Sequence, residues 1–461
     1  MSPQKRVVVI GLDCATPKTL FEDFIDVCPN IKKLMNHGVF GKLRSSDPPI
    51  TVPAWMVMST GRTAGDLGVY GFIHRKEKSY TDFWVVNSLN IEKPKIWDII
   101  GEKGFKSIIV GVPPTFPAQA INGNLITGFI TPDSLSHFTY PLKLKEEIFN
   151  VVEDYEFDVK FRTNHKEQLL VSLYKLTKKH FEVVKHLIKN KPWDYCQFVI
   201  IGLDRFHHAF WKYYDKSHHK YEPGNIYESA IENFYKFLDK QIGELLELLG
   251  ENDIVIIASD HGAKAMKGCL CVNMALEKLG LLKFKETPAP KTRLDEVEID
   301  WAKTYAWGWG GYYARIFLNV KGREENGIIE PKEYENWRDK LIKLLKEIPD
   351  DKGNLMNTKI YKPEELYNKV YGDAPDLMVY FDDLNWRSAG TVGYDSMYLD
   401  ENDTGPDDAV HDYFGVFIIS QLNKKIGKRL EPKNILDIAP TILNIYGIQI
   451  PEDLEGKIIE F

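Results

Sequence analysis

Three uninterrupted apolar runs, each closing on an aspartate, constrain the fold of this chain more than any other feature. They are KRVVVIGLD ending at Asp13, YCQFVIIGLD ending at Asp204, and DIVIIASDHG carrying Asp260 and His261. A strand that is apolar without alternation is buried on both faces, the pattern of a parallel sheet covered by helices. Helical periodicity fills the intervals: residues 16–27 and 30–37, IWDIIGEKG before KSIIVGVP, Phe161 to Lys191, and Tyr227 to Leu249. The alternation predicts an α/β fold, a mostly parallel central sheet with helices on both faces. Parallel strands end on one edge, so the three aspartates gather there, where open α/β sheets place their chemistry.

Other polar residues fall at positions that bring them to the same edge. Thr51 opens the helical stretch TVPAWMVMSTG, with Pro53 in its first turn. Asp204 and His208 are four apart and share a helix face, His207 competing for the same place. Gly262, directly after Asp260 and His261, supplies the backbone freedom to aim both side chains at one point. His411 precedes the strand DYFGVFIIS. Taken singly, each has a plainer reading: Asp13 and Thr51 as helix caps, Asp204 with His208 as a surface pair, His411 as a core histidine. Three carboxylates, three imidazoles and one hydroxyl together suit two divalent cations and a nucleophile. His180, His186, His218 and His219 lie in an amphipathic helix or a polar stretch and read as packing or surface residues.

Composition narrows the partners. With 461 residues, 44% hydrophobic and 27% charged, the chain is ordinary globular material. A balance of 59 basic against 66 acidic residues, net −7, argues against a nucleic-acid coat or a polybasic membrane anchor. Five cysteines without paired C-x-x-C spacing form no disulfide framework and suit a reducing cytoplasm. The first apolar run is short and ends in Asp13, so it reads as a strand rather than a signal segment or membrane span. One domain is expected over residues 1–461. Two stretches, 61–92 and 264–311, break the sheet rhythm, are rich in glycine and aromatics, and read as inserted lid loops. The second contains AWGWGGYY, with Trp307, Trp309, Tyr312 and Tyr313 as a prospective substrate wall.

The ordered set G-L-D, P-x-x-T-x-P-x-W with a trailing S-T-G, G-L-D-R-x-x-H, S-D-H-G, and a late histidine before a strand resembles the alkaline phosphatase superfamily. The chain is most similar to its type I phosphodiesterase and nucleotide pyrophosphatase branch. The likeness extends to the closing ILDIAPTILNIYGIQIPEDLEG. It implies an alkaline phosphatase-like fold. It also implies that Asp13, Thr51, Asp260 and His261 hold one cation, that Asp204, His208 and His411 hold a second, and that Thr51 is the nucleophile through a phospho-threonine intermediate. Zinc is the expected metal, since imidazole and carboxylate are mixed, and manganese(II) or iron(II) accept the same ligands. The implied substrate is a small phosphoester, a nucleotide among the options. Oligomeric state is left open.

The chain also departs from the branch's pattern. The asparagine that commonly follows T-x-P is replaced by Ala54, with Trp55 beyond, so another donor must hold the phosphoryl oxygens. Trp55, Arg62 and Lys264 are the candidates for substrate contact. A sulfatase is excluded because Thr51 cannot give the aldehyde that its Cys or Ser supplies. The nearest basic residue downstream of Thr51 is Arg62, which favours a singly charged diester over a monoester. Three other readings use the same residues: a phosphomutase or phosphotransferase, a phosphomonoesterase, and a non-catalytic, metal-stabilised ligand-binding protein.

Overall fold

The computed structural model describes residues 5–461. In chain order the elements that frame the site are β1 (Val7–Leu12), α1 (Pro29–His37), β2 (Gly38–Arg44), α2 (Thr51–Thr60), β3 (Ser107–Val110), β4 (Gly123–Ile126) and β5 (Thr139–Tyr140). There follow α3 (Lys166–Asn190), β6 (Tyr195–Ile200), α4 (Gly202–Tyr214), α5 (Ala230–Leu246), β7 (Ile254–Ala258), β8 (Gly262–Ala265), β9 (Ala409–Asp412), β10 (Phe414–Gln421) and α6 (Ile438–Ile445).

The central sheet runs β2–β10–β7–β1–β6–β3–β4–β5, with Lys428–Arg429 and Lys433–Asn434 pairing along β2. From β7 to β4 all neighbours are parallel. β10 is antiparallel to both β7 and β2, and β5 is antiparallel to β4. The sheet is therefore mixed. β10 reads like its parallel neighbours in sequence because it too is covered on both faces, and burial, not direction, dictates an unbroken apolar run.

Alternation of side chains along β1 divides the interior in two. Val8, Ile10 and Leu12 pack with residues of α1, α3, α4 and α5, whereas Val7 and Val9 pack with α2 and α6 on the other face. α2 is buried at every position, which explains why TVPAWMVMSTG carries no polar stripe. Its Trp55 fits only because Gly11 of β1 has no side chain: a Cβ there would stand 2.5 Å from the indole. Residues 16–27 form not one helix but a π turn, Lys18–Asp23, and a 3₁₀ turn, Ile25–Val27.

The two stretches that break the sheet rhythm are not free loops. Residues 264–311 belong to a second lobe with its own apolar core. In it, Ala306–Trp309, Ala314–Leu318, Leu377–Tyr380 and Lys359–Tyr361 form an antiparallel sheet, beside a three-stranded one built from Trp386–Ala389, Gly268–Cys271 and Tyr398–Leu399. Residues 61–92 contain a hairpin, Ile73–Arg75 with Phe83–Val85, that Arg75 pins to the lobe through Asp373 and Glu324. No helix among the described residues is long and apolar enough to cross a membrane. All five cysteines are buried and free.

Candidate metal and phosphoester site

β1 lies between β6 and β7, in register Leu12 opposite Ile200 and Gly11 opposite Ala258. The three aspartate-terminated runs are thus adjacent and end together. Beyond β1 the chain turns at Cys14, whose φ of 65° is left-handed. The turn presents the Cys14 amide to Asp260, N–H to Oδ1 3.1 Å, and a non-glycine residue there costs about 1 kcal/mol. Asp13 caps no helix. Its Oδ2 accepts the Trp55 indole N–H at 2.8 Å. Gly262 does not adopt a left-handed turn. It is required because Phe414 passes so close that a Cβ would lie 2.2 Å from its carbonyl oxygen.

Two clusters of ligand atoms result. In one, His261 Nε2 lies 3.1 Å from Asp260 Oδ2 and 3.7 Å from Asp13 Oδ1. The Thr51 hydroxyl, at the first residue of α2, donates to the same Nε2 at 3.2 Å. In the other, Asp204 Oδ1 lies 3.3 Å from His208 Nε2 and 3.7 Å from His411 Nε2, and the two imidazole nitrogens are 3.3 Å apart. Asp204 and His208 do share one face of α4. His207 points elsewhere, donating from Nδ1 to the Cys14 carbonyl. Both clusters have the spacing of a ligand set that could hold a metal ion.

The histidines are oriented from behind. Nδ1 of His261 donates to the Gly262 carbonyl, that of His411 to the Pro49 carbonyl, and that of His208 to Asp407 Oδ1 at 2.6 Å. These bonds orient the rings and leave every Nε2 facing the carboxylates. Opposite them, Asp13 Oδ1, Asp204 Oδ1 and Asp260 Oδ2 are buried and make no hydrogen bond. Three unsatisfied buried carboxylate oxygens beside three inward nitrogens would be costly without a cation, and the residues fit divalent metal on that ground.

Charge tells the same story. Burial pushes the Asp13 and Asp260 carboxyls well above the usual range, and repulsion from Asp204 and Asp13 respectively adds to it. Burial also works to raise Asp204, yet His208 and Arg205 hold it well below. His261 is pushed down to about 4 and His411 well below its ordinary value, burial being the main cause in each. Both are therefore neutral, as ligands must be.

A cavity of about 670 Å³ adjoins the clusters at Ile50 and Tyr312. Tyr312 stacks on His411, ring centroids 3.4 Å apart, and its hydroxyl lies 3.2 Å from His208 Nε2. Of the AWGWGGYY residues, Trp309, Tyr312 and Tyr313 line this cavity, whereas Trp307 is wholly buried in the core of the second lobe. None of the three residues read as substrate contacts lines it. Trp55 is fully buried with its N–H given to Asp13. Arg62 makes a two-pronged pair with Asp453 of the C-terminal segment, 2.9 Å at each prong. Lys264 donates to the Asp383 carbonyl and lines a separate cavity.

Distant parts of the chain supply the basic groups instead. Arg205 donates to Asp204 and to both oxygens of Asp158, and Arg162 and Arg387 share Asp407 Oδ2. Arg205 could have been suspected from its place beside Asp204. Asp407, Arg162 and Arg387 carry no local signal, since their roles arise from contacts across more than 150 residues or around a turn of the second lobe.

The sequence matches the family model for type I phosphodiesterase / nucleotide pyrophosphatase over residues 7–407. Among solved structures, human ectonucleotide pyrophosphatase / phosphodiesterase 5 is similar in fold, with a TM-score of 0.57 at 13% identity over 97% of this chain and 96% of that one. An inactive threonine-to-alanine variant of the murine protein, in complex with AMP, gives 0.58 at 13% identity with the same coverage. No curated protein matches the sequence.

Proposed function

The chain belongs to the type I phosphodiesterase / nucleotide pyrophosphatase family of phosphoester hydrolases, and from that premise we propose that it cleaves a phosphodiester by covalent attack from Thr51. The observation that carries this reading is the gathering of three unsatisfied carboxylate oxygens and three inward imidazole nitrogens, one of which, His261 Nε2, accepts from the Thr51 hydroxyl. In it, Asp13, Thr51, Asp260 and His261 would hold one divalent cation and Asp204, His208 and His411 a second, with zinc the best match to the mixed ligands. Bound there, such cations would neutralise the carboxylates, favour ionisation of the hydroxyl and polarise the phosphoryl group.

The protein's own groups do the rest. Thr51 sits at the positive end of α2, where negative charge on its oxygen is favoured. Its Oγ1 gives up its proton to solvent water and forms a bond to phosphorus as the bond to the ester's leaving oxygen breaks, and that oxygen departs with the electron pair and takes a proton from solvent water. Water then attacks the phospho-threonine, releasing the phosphoryl product and restoring Thr51. Arg205 holds Asp204 in place, and Tyr312 walls the second cluster. The AMP bound by the murine relative makes a nucleotide ester the substrate class of choice.

The test uses zinc- or manganese-loaded protein with the p-nitrophenyl ester of a nucleoside 5′-monophosphate, bis(p-nitrophenyl) phosphate and p-nitrophenyl phosphate. Both diesters should show higher kcat/KM than the monoester. Thr51→Ala should lower kcat by about 10³-fold or more while keeping the fold, Thr51→Ser should retain part of the rate, and acid quenching should trap the phosphoryl group on the Thr51 peptide. Near-normal turnover by Thr51→Ala would remove the covalent route.

A further inference from the structure

Five arginines line the cavity beside the clusters. Four have carboxylate partners: Arg205 with Asp158 and Asp204, Arg162 and Arg387 with Asp407, and Arg293 with Asp295. Arg315 has none within ion-pair distance among the described residues. It is 6% exposed. Its Nη1 donates to the Ile73 carbonyl, and its guanidinium lies 5.0 Å from the centroid of the Trp309 ring. Asp373, the carboxylate that acts on it from further away, is itself held by Arg75 and Lys78. Burial works against the Arg315 charge, Arg75 adds to that, and Tyr313 and Asp373 offset it only in part.

A buried guanidinium with donors to spare, in the wall of a cavity and without a counter-charge, is stabilised when an anion enters. Arg315 follows Tyr312 by three residues, so their Cα atoms are at most about 11 Å apart. Tyr312 stacks on His411. An anion on Arg315 is therefore within reach of a substrate whose ester phosphorus sits at Thr51.

We propose that the substrate carries a second anionic group, a phosphate or a carboxylate, on the ester arm that enters this cavity, and that Arg315 binds it beside Trp309. The inference rests on the phosphoester-hydrolase reading for the position of the scissile phosphorus. Arg315 is then a specificity-determining residue. It binds the far end of the substrate and takes no part in bond breaking.

The experiment uses the metal-loaded full chain and p-nitrophenyl alkyl phosphates with linkers from ethyl to hexyl, ending in methyl, carboxylate or phosphonate. The wild type should prefer an anionic end over methyl by about tenfold or more in kcat/KM at its best linker length. The carboxylate and phosphonate arms show which anion the site takes. Arg315→Gln should lose that preference while turning over the methyl-ended ester within about threefold of wild type, and Arg315→Lys should recover part of it. A wild type indifferent to the end group, or a preference that survives in Arg315→Gln, overturns the inference. Since loss of the bond to Ile73 could unsettle the fold, both variants are checked by circular dichroism, and Arg315→Lys carries the comparison if Arg315→Gln does not fold. Calorimetric binding of alkane bisphosphonates against alkyl monophosphonates gives a second readout. If no ester is turned over, the hydrolase reading fails, and the Arg315 subsite is still decided: Arg315→Gln must lose about tenfold in bisphosphonate affinity and little in monophosphonate affinity.

Discussion

The carboxylate of Asp407 stands where three side chains converge. One oxygen accepts from His208 Nδ1 and the other from Arg162 and Arg387, and the arrangement holds its pKa well below the usual range even though burial works the other way. Through His208 it positions one ligand of the second cluster without reaching the reacting atoms. Carboxylates placed behind a metal-bound imidazole typically account for 10- to 100-fold in metal affinity, so Asp407→Asn should weaken one of two binding events by about that factor and leave the other unchanged. Zinc titration with a chelating indicator reads both. Unaltered affinity for both ions would show that Asp407 serves packing alone. Little of this was legible in the sequence. Asp407 and Asp408 look alike in GPDDAVH, and only the approach of α4 to β9 makes the first the partner of His208 while the second pairs with Lys212.

At the scale of elements, the aspartate-ended strands, the start of α2 and the long helices α3 and α5 were readable because local pattern determines them, whereas the helix read over residues 16–27 is broken into two turns. The hairpin of residues 73–85 was not, since His74 and Arg75 in its first strand gain meaning only from what they meet. His74 is its buried pivot: Nε2 accepts the Tyr70 amide at 2.9 Å, the ring stacks on Trp84, and Nδ1 has no partner. Burial, with the nearby Arg315 charge, pushes its pKa down to about 3. In the unfolded chain the group titrates near its ordinary 6.5. The folded form stays neutral while the unfolded form takes up a proton, so stability falls as pH drops below about 6.5, by about 1.4 kcal/mol per unit, until His74 itself protonates near 3. Between pH 7 and 5 the wild type should lose about 2 kcal/mol more than His74→Gln, as measured by denaturant unfolding at the two pH values. Equal losses would place the acid sensitivity elsewhere.

For the whole molecule, the site is a seam. The strand ends of the central sheet lead into Asp13 and Asp260, α4 contributes Asp204 and His208, the β8–β9 pair contributes His411, and the second lobe closes over them with Tyr312 and the arginine-lined cavity. Three buried carboxylates gathered at one point favour any cation that binds the folded state alone. Such binding stabilises by about 4 kcal/mol when free metal exceeds its dissociation constant a thousandfold. Chelation should accordingly shift the denaturant midpoint of the whole chain downward, and restoring zinc should reverse the shift. A midpoint indifferent to chelator would mean that the two clusters hold no metal in solution.

The three aspartate-terminated runs determined, without any tertiary information, that a sheet would form and that Asp13, Asp204 and Asp260 would share one edge of it, because burial on both faces leaves an unmistakable linear trace. The same holds for Thr51 at a helix start and for the i, i+4 pairing of Asp204 with His208. Tertiary structure decided what depends on direction and distance: the antiparallel course of β10, the diversion of Trp55 to Asp13, of Arg62 to Asp453 and of Lys264 to another face, and the unpaired state of Arg315. A side chain's partner across the fold is set by which strands become neighbours. Local sequence records whether a residue is buried, not what it is buried against.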